Sequence, residues 1–379
     1  HACRFYFRCC ERNINFLNMM NETVLLETQQ LLAQLIECPS LSKEEAGTAQ
    51  IIQDFFSKKK IPYHILENNV WAKNKFFTDT KPTFLLNSHH DTVKPNSQWS
   101  KDPFKATIED GKLFGLGSND AGASLVCLLS TFAKLYEKKD LAFNLVMAAT
   151  AEEEISGKNG IELVLKDPTF PKIDAAIVGE PTDCQLAIAE KGLMVIDAKI
   201  LGKAGHAARN EGINALYLGM EDILKVKNYN FEKVSNVLGP VKCTVTIAHG
   251  GTQHNVIPEV FDYTIDCRVN ECYTLLEVLE ILRKELKAEL TPRSIRLNSS
   301  KMDVNHPLIQ AGKKLGIETF GSPTLSDQAL IPVPSIKIGP GHSGRSHTAD
   351  EFIYLNELEQ GLNTYLNLLL ETNLLIQNS

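Results

Sequence analysis

A chain of 379 residues, with 43% apolar and 22% charged side chains and a formal charge of −7, has the composition of a globular protein long enough for two hydrophobic cores. The acidic balance argues against nucleic acid or an anionic membrane as partner, and no apolar run approaches the roughly 20 residues that span a bilayer. The nine cysteines are odd in number and show no C-x-x-C pair, so reduced thiols in a cytoplasm are expected in place of a zinc knuckle or a disulfide framework.

Residues 1–18 mix Arg, Cys and aromatic side chains without the apolar core of about 7 to 15 residues that marks a signal peptide. They read as a non-native or disordered leader, with the natural start expected at Met19 or Met20. From Glu22 to Ile36 apolar residues recur at helical spacing and stop at Cys38-Pro39, where proline disfavours helix at the residue before it. A second helix is expected from about 44 to 57. Short apolar runs follow at 84–87, 143–150, 175–178 and 335–338, with a helix expected over 123–136. Runs of four to eight apolar residues alternating with helices predict the buried strands of a mostly parallel sheet in an α/β domain.

Between about 185 and 300 the rhythm changes. Strands are expected at 193–201, 241–249, 260–269 and 294–298, and helices at 213–226 and 275–290. That β-α-β-β-α-β order is the ferredoxin-like one. The expected division is therefore an α/β domain in two parts, 19–184 and 301–379, interrupted by an inserted domain at 185–300.

Chemistry-bearing residues follow the apolar runs. The first run leads into Ser88, His89, His90 and Asp91, the second into Glu152, Glu153 and Glu154, the third into Glu180, and the last into the segment that carries Arg345, His347, Asp350 and Glu351. A fifth segment, Gly115 to Asp120, ends just before a helix. In open α/β sheets ligands bind beyond the carboxyl ends of the strands, so these segments are expected to converge on one crevice. Each has a bland alternative: a glutamate run is ordinarily a solvated face, His89 and His347 ordinary loop histidines, and Asp120 a helix cap. Together, imidazoles and carboxylates without a cysteine cluster suit Zn²⁺, with Mn²⁺ or Co²⁺ as substitutes.

The segments SHHDTV, GLGSND, TAEEE, GEPT, GKAGHAAR, HNVIPE and GPGHSGRSHTADE, in that order, resemble the M20 family of metallopeptidases and deacylases. That group contains acetylornithine deacetylase, succinyl-diaminopimelate desuccinylase and glutamate-releasing carboxypeptidases, and the resemblance extends from about residue 25 to 370. It implies a zinc-peptidase-like α/β fold holding two Zn²⁺ ions. His89, Asp120 and Glu180 would hold one ion and Asp120, Glu154 and His347 the other, with Asp120 as the bridge. It further implies that Asp91 orients His89, that Glu153 is the general base, and that His206 stabilises the oxyanion. Asn255, Arg268 and Arg345 would bind substrate. The resemblance also implies that 19–184 and 301–379 form the catalytic domain and that 185–300 is a lid or dimerisation domain through which a homodimer forms.

Two departures stand out. The family usually has D-M-K-G-G after the bridging aspartate, where this chain has Asp120-Ala-Gly-Ala-Ser124, and Glu152 occupies a place usually held by the shorter Asp. Among family substrates, residues 324–332 and 341–352 most resemble the acetylornithine deacetylase branch, which implies release of ornithine from N-acetylornithine in arginine biosynthesis. Alternatives are N-succinylornithine or N-succinyl-diaminopimelate desuccinylation, a dipeptidase or carboxypeptidase, and a non-catalytic binding relative. For the distal ammonium of ornithine, Asp327, Asp350 and Glu351 are the candidate carboxylates; Lys191 or Arg209 would meet a succinyl carboxylate.

Overall fold

The computed structural model describes residues 21–209 and 211–378, so the leader expected at 1–18 lies outside the described residues. They form two compact units: the first runs to Ala187 and resumes over Asp303–Thr319 and from Val333, and the second comprises Ile188–Met302 and Phe320–Pro332.

In the first unit, Asn144–Thr150, Thr83–His89, Ala175–Gly179 and Ser335–Ile338 lie side by side and parallel. Every residue of these four strands is buried, which explains why they read as unbroken apolar runs and not as alternating ones. The antiparallel strands Asn69–Lys73 and His64–Leu66 extend one side. On the other, the strand starting at Leu186 pairs antiparallel through Lys337 and Ala187. Helices Glu22–Ile36 and Ala46–Lys58 sit close to their expected places. Helix Ala123–Leu135 is almost wholly buried and packs against Leu355–Gln377. A small antiparallel sheet of Phe352–Tyr354, Lys112–Phe114 and Thr107–Glu109 completes the unit.

The second unit contains, in order, Gly192–Leu201, helix Ala215–Asn228, Lys242–Gly250, Val260–Val269, helix Leu275–Glu285 and Glu289–Pro292. Its antiparallel sheet runs Lys242–Gly250, Val260–Val269, Gly192–Leu201, Glu289–Pro292. Met194, Ile196, Ala198 and Ile200 alternate into a core with Val278, Leu279 and Leu282, the period-two pattern of a sheet covered on one face. Asn214 caps the first helix, and a reciprocal Thr274–Glu277 capping box starts the second.

The last strand departs from expectation: it lies at Glu289–Pro292, not 294–298, and the preceding helix ends at Glu285. Buried Asp222, 65 residues earlier, accepts the backbone N–H groups of Lys287 and Ala288 at 2.8 and 2.9 Å. Those bonds draw the chain out of the helix one turn before its apolar periodicity ends. Among the described residues no helix is long and apolar enough to cross a membrane.

Candidate metal centre

Parallel strands end on the same edge of a sheet, and the first unit places its polar residues there. His89 is the last residue of its strand. After Asn144–Thr150 the chain turns through Glu152, at φ 57°, into the short 3₁₀ turn Glu153–Ile155. Glu180 follows Ala175–Gly179 directly, Asp120 sits in the irregular turn before helix Ala123–Leu135, and His347, at φ 60°, lies in the loop beyond Ser335–Ile338.

Two groups of side chains result, His89 with Asp120 and Glu180, and Asp120 with Glu154 and His347; within each, the ligand atoms lie within 4.8 Å of one another. Asp120 belongs to both. Nε2 of His89 is 3.5 Å from Asp120 Oδ1 and 3.8 Å from Glu180 Oε1. Across the site His347 Nε2 is 2.9 Å from Glu154 Oε2 and 3.7 Å from Asp120 Oδ2.

His89 Nε2 is buried without a hydrogen-bond partner. Its Nδ1 faces the main-chain oxygen of Asp91 at 3.0 Å and the Asp91 carboxylate at 3.4 Å. A proton on Nδ1 satisfies those acceptors and leaves the Nε2 lone pair facing carboxylates. A buried lone pair among anionic oxygens is what a divalent cation satisfies, and an imidazole–carboxylate set without thiolate fits Zn²⁺, Mn²⁺ or Co²⁺.

Asp91 joins two strand ends. Besides facing His89, its carboxylate accepts the Ser42 hydroxyl at 2.7 Å and the backbone N–H groups of Glu153 and Glu154 at 3.0 and 3.2 Å. The extra methylene of Glu152 is used: its carboxylate accepts both the backbone N–H and the side-chain amide of Asn159 at 3.2 and 2.8 Å, closing the loop behind the acid turn. Glu153 is thereby presented with Oε2 3.8 Å from His89 Nε2.

Burial opposes charge on His89, but Glu153, Asp120, Asp91 and Glu180 outweigh it and raise its pKa well above the usual imidazole value. The hydrogen bond to Glu154 is the main cause that lifts His347 to about 9. Burial pushes Glu180 up to about 8, with Asp120 adding to the rise against the pull of His89. Burial also pushes Asp120 up, but contacts with His89, Ser346 and His347 hold it below the usual carboxylate range. The cluster thus retains protons at neutral pH that a divalent cation would displace.

The other residues singled out in the sequence fall in different places. His206 and Asn255 come together on an exposed loop of the second unit, where Gly205–His206 pairs with Val256–Ile257 and Ala207 N–H donates to the Asn255 carbonyl. Nδ1 of His206 accepts the Ala208 N–H at 3.1 Å, so the neutral ring carries its proton on Nε2. Arg268 makes a bidentate contact with Asp266, two residues before it on the same strand face. Arg345 is engaged by both oxygens of Glu357 at 2.9 and 2.7 Å and lies over the Phe352 ring.

Asp350 accepts the Ser100 N–H and hydroxyl and the Lys101 N–H. Glu351 is buried and accepts backbone N–H groups of the Asp120 turn. Neither partner was foreseeable from local pattern: Glu357 lies twelve residues beyond Arg345, on the next helix, and the turn that Glu351 holds is more than 230 residues away. Asp327 is buried at the start of a 3₁₀ turn in the second unit.

Residues 85–371 match the family model described as Peptidase family M20/M25/M40. The chain is 26% identical to a succinyl-diaminopimelate desuccinylase of Wolbachia pipientis, over 88% of this chain and 90% of that protein. It is 28% identical to an acetylornithine deacetylase of Shigella sonnei, over 86% and 92%. In fold it resembles the dinuclear metal-binding M20 peptidase YXEP of Bacillus subtilis, with a TM-score of 0.73 at 17% identity over 95% of this chain and all of that one. The aminopeptidase PepT of Bacillus cereus gives the same score at 17% identity over 94% and 100%. The chain belongs to peptidase family M20/M25/M40, a family of metal-dependent hydrolases.

Proposed function

We propose that the chain is a two-ion amidohydrolase that removes an N-acyl group from an amino acid, with N-acetylornithine as the preferred substrate. One observation carries the reading most: two ligand groups share Asp120, and a further carboxylate, Glu153, stands beside them. His89, Asp120 and Glu180 would hold one divalent ion and Asp120, Glu154 and His347 the other, with Zn²⁺ as the proposed metal. Two such ions supply Lewis acidity to the scissile carbonyl and acidify water.

The chain's own residues do the rest. Glu153 accepts the proton of the attacking water on its carboxylate and returns it to the leaving nitrogen, the general acid–base role. Asp91 keeps the His89 tautomer and holds the turn that presents Glu153. His206, with its proton on Nε2, is proposed as the donor to the developing oxyanion. The second unit, whose β-α-β-β-α-β order supports a ferredoxin-like lid, also carries Asn255 and Arg268 for the substrate.

Both arginines are held bidentately, Arg345 by Glu357 and Arg268 by Asp266, and Arg268 is proposed for an α-carboxylate as the more exposed of the two. Asp350 and Glu351 accept backbone amides, and Asp327 is the carboxylate proposed for the distal ammonium. Tyr217, Met220 and Leu224 form an exposed apolar stripe on helix Ala215–Asn228, and Lys242–Gly250 is an edge strand with Ile247 exposed. Both features support a homodimer through this unit. Light scattering at micromolar concentration checks it, and a monomer would contradict it.

The substrate assignment is tested by comparing kcat/KM for N-acetylornithine, N-succinylornithine, N-succinyl-diaminopimelate, apolar acetyl-amino acids and dipeptides. Ornithine derivatives are expected to lead, with acetyl only weakly ahead of succinyl. Faster cleavage of a dipeptide or an apolar acetyl-amino acid would overturn the ornithine assignment and leave the hydrolase intact.

A further inference from the structure

Resting on the two-ion reading above, we infer that Glu351 is a positioning residue for the metal centre and makes no substrate contact: its carboxylate ties the turn that presents Asp120 to the loop that presents His347. Glu351 is 2% exposed. Its Oε1 accepts the backbone N–H groups of Asn119 and Asp120 at 2.8 and 2.9 Å, and its Oε2 accepts that of Gly117 at 3.1 Å. Its main-chain oxygen accepts Gly115 N–H at 3.0 Å. Four amides between 115 and 120 therefore converge on one residue that lies 231 to 234 positions away from the turn its side chain holds.

The turn needs such a partner. Gly117 is at φ 75° and Asp120 at φ −118°, ψ 99°, so no helical ladder takes up these N–H groups, and a buried amide left without an acceptor is strongly disfavoured. Glu351 fixes the amide attached to the Cα of Asp120, one carbon from the carboxylate common to both ligand groups. It also lies four residues after His347. Strand Phe352–Tyr354 pairs with Lys112–Phe114 just ahead of the turn, and Asn119 bonds the backbone N–H and carbonyl of His342. Segments 112–120 and 342–354 are thereby laced together on both sides of the metal ligands.

The chemistry is specific to a carboxylate. Both oxygens act as acceptors for three N–H groups, whereas a glutamine must turn its NH₂ toward at least one of them. An ammonium group of a substrate would have to enter a buried site whose oxygens already accept these amides.

The test uses the full chain as Glu351→Gln, stripped of metal and titrated with Zn²⁺ against a competing chelator, with apo melting temperature, kcat and KM measured alongside. The parent should bind two ions. The variant should bind the more weakly held ion about 10- to 100-fold less tightly, the effect typical of losing an outer-sphere partner, with kcat lowered and KM within about threefold of parental. Unchanged affinity for both ions with a lower melting temperature would reduce Glu351 to a structural role and overturn the inference. Raised KM with intact metal binding would make it a substrate contact and overturn it equally. A parent that binds fewer than two ions sinks the two-ion reading itself, a result distinct from either. Should Glu351→Gln not fold, Glu351→Asp, which keeps the charge but falls a methylene short, undergoes the same titration with the same expected loss.

Discussion

The two halves of the ligand cluster are built differently. On one side His89 is 1% exposed, closes a strand buried on both faces, and has its ring fixed by Asp91. On the other, the His347 side chain is 56% exposed, its backbone is in a left-handed conformation uncommon outside glycine, and its ring is held by Glu154. The sheet therefore prebuilds the first half, and loop-to-turn contacts assemble the second. Two ions bound at such sites should differ in affinity and exchange, the His347 side being the weaker.

The largest effect is expected between the halves, at Glu153. Glu153→Gln should keep both ions and lose about 10²- to 10⁴-fold in turnover, as for removal of a general base. Near-parental turnover would refute the assignment. His206→Ala should lower kcat by about 10²- to 10³-fold with metal content unchanged, and a loss of folding in circular dichroism would show a structural histidine instead.

A sharper contrast comes from Asp91. Asp91→Asn keeps the main-chain acceptor of His89 but removes the negative charge beside its ring and one of the oxygens that hold the Glu153 and Glu154 amides, and it should weaken the better-buried ion by about 10- to 100-fold. Graded chelator removal should then show the two ions leaving closer together than in the parent. An unchanged separation of the two removal steps would contradict the proposed asymmetry.

The smallest effect is on the pH dependence of the metal-free protein. Glu180 is raised to about 8 from 4.5 and His347 to about 9 from 6.5. A group whose folded pKa is raised stabilises fully below its unfolded value and loses that contribution as pH climbs through the folded one. The apo melting temperature should therefore fall between about pH 4.5 and 9, and saturating Zn²⁺ should suppress the fall because the cation replaces the protons. A flat apo profile across that window would show that these protons are not held.

Much of the site was legible because its residues follow strands whose apolar runs are contiguous in sequence: His89, the acid turn and Glu180 each lie within a few residues of a buried run. What pattern reading missed depends on distant partners. Arg345 reads as a substrate-binding cation until Glu357, twelve residues on, turns out to hold it, and Glu351 reads as a carboxylate for a substrate ammonium until the fold brings residues 117–120 against it. The short strands His64–Leu66 and Asn69–Lys73 are too brief to show periodicity. The shift of the second unit's last strand reflects Asp222, whose two amide bonds outweigh the helical pattern of 286–290.

The shared carboxylate is tested most directly by titrating the metal-free full chain with Zn²⁺ against a chelator, for the parent, Asp120→Ala and His347→Ala. The parent should take up two ions of unequal affinity. Because Asp120 stands in both ligand groups, Asp120→Ala should weaken both, whereas His347→Ala should lose only the weaker one. A parent that binds a single ion, or an Asp120→Ala variant that binds two with parental affinity, would contradict the bridged two-ion centre.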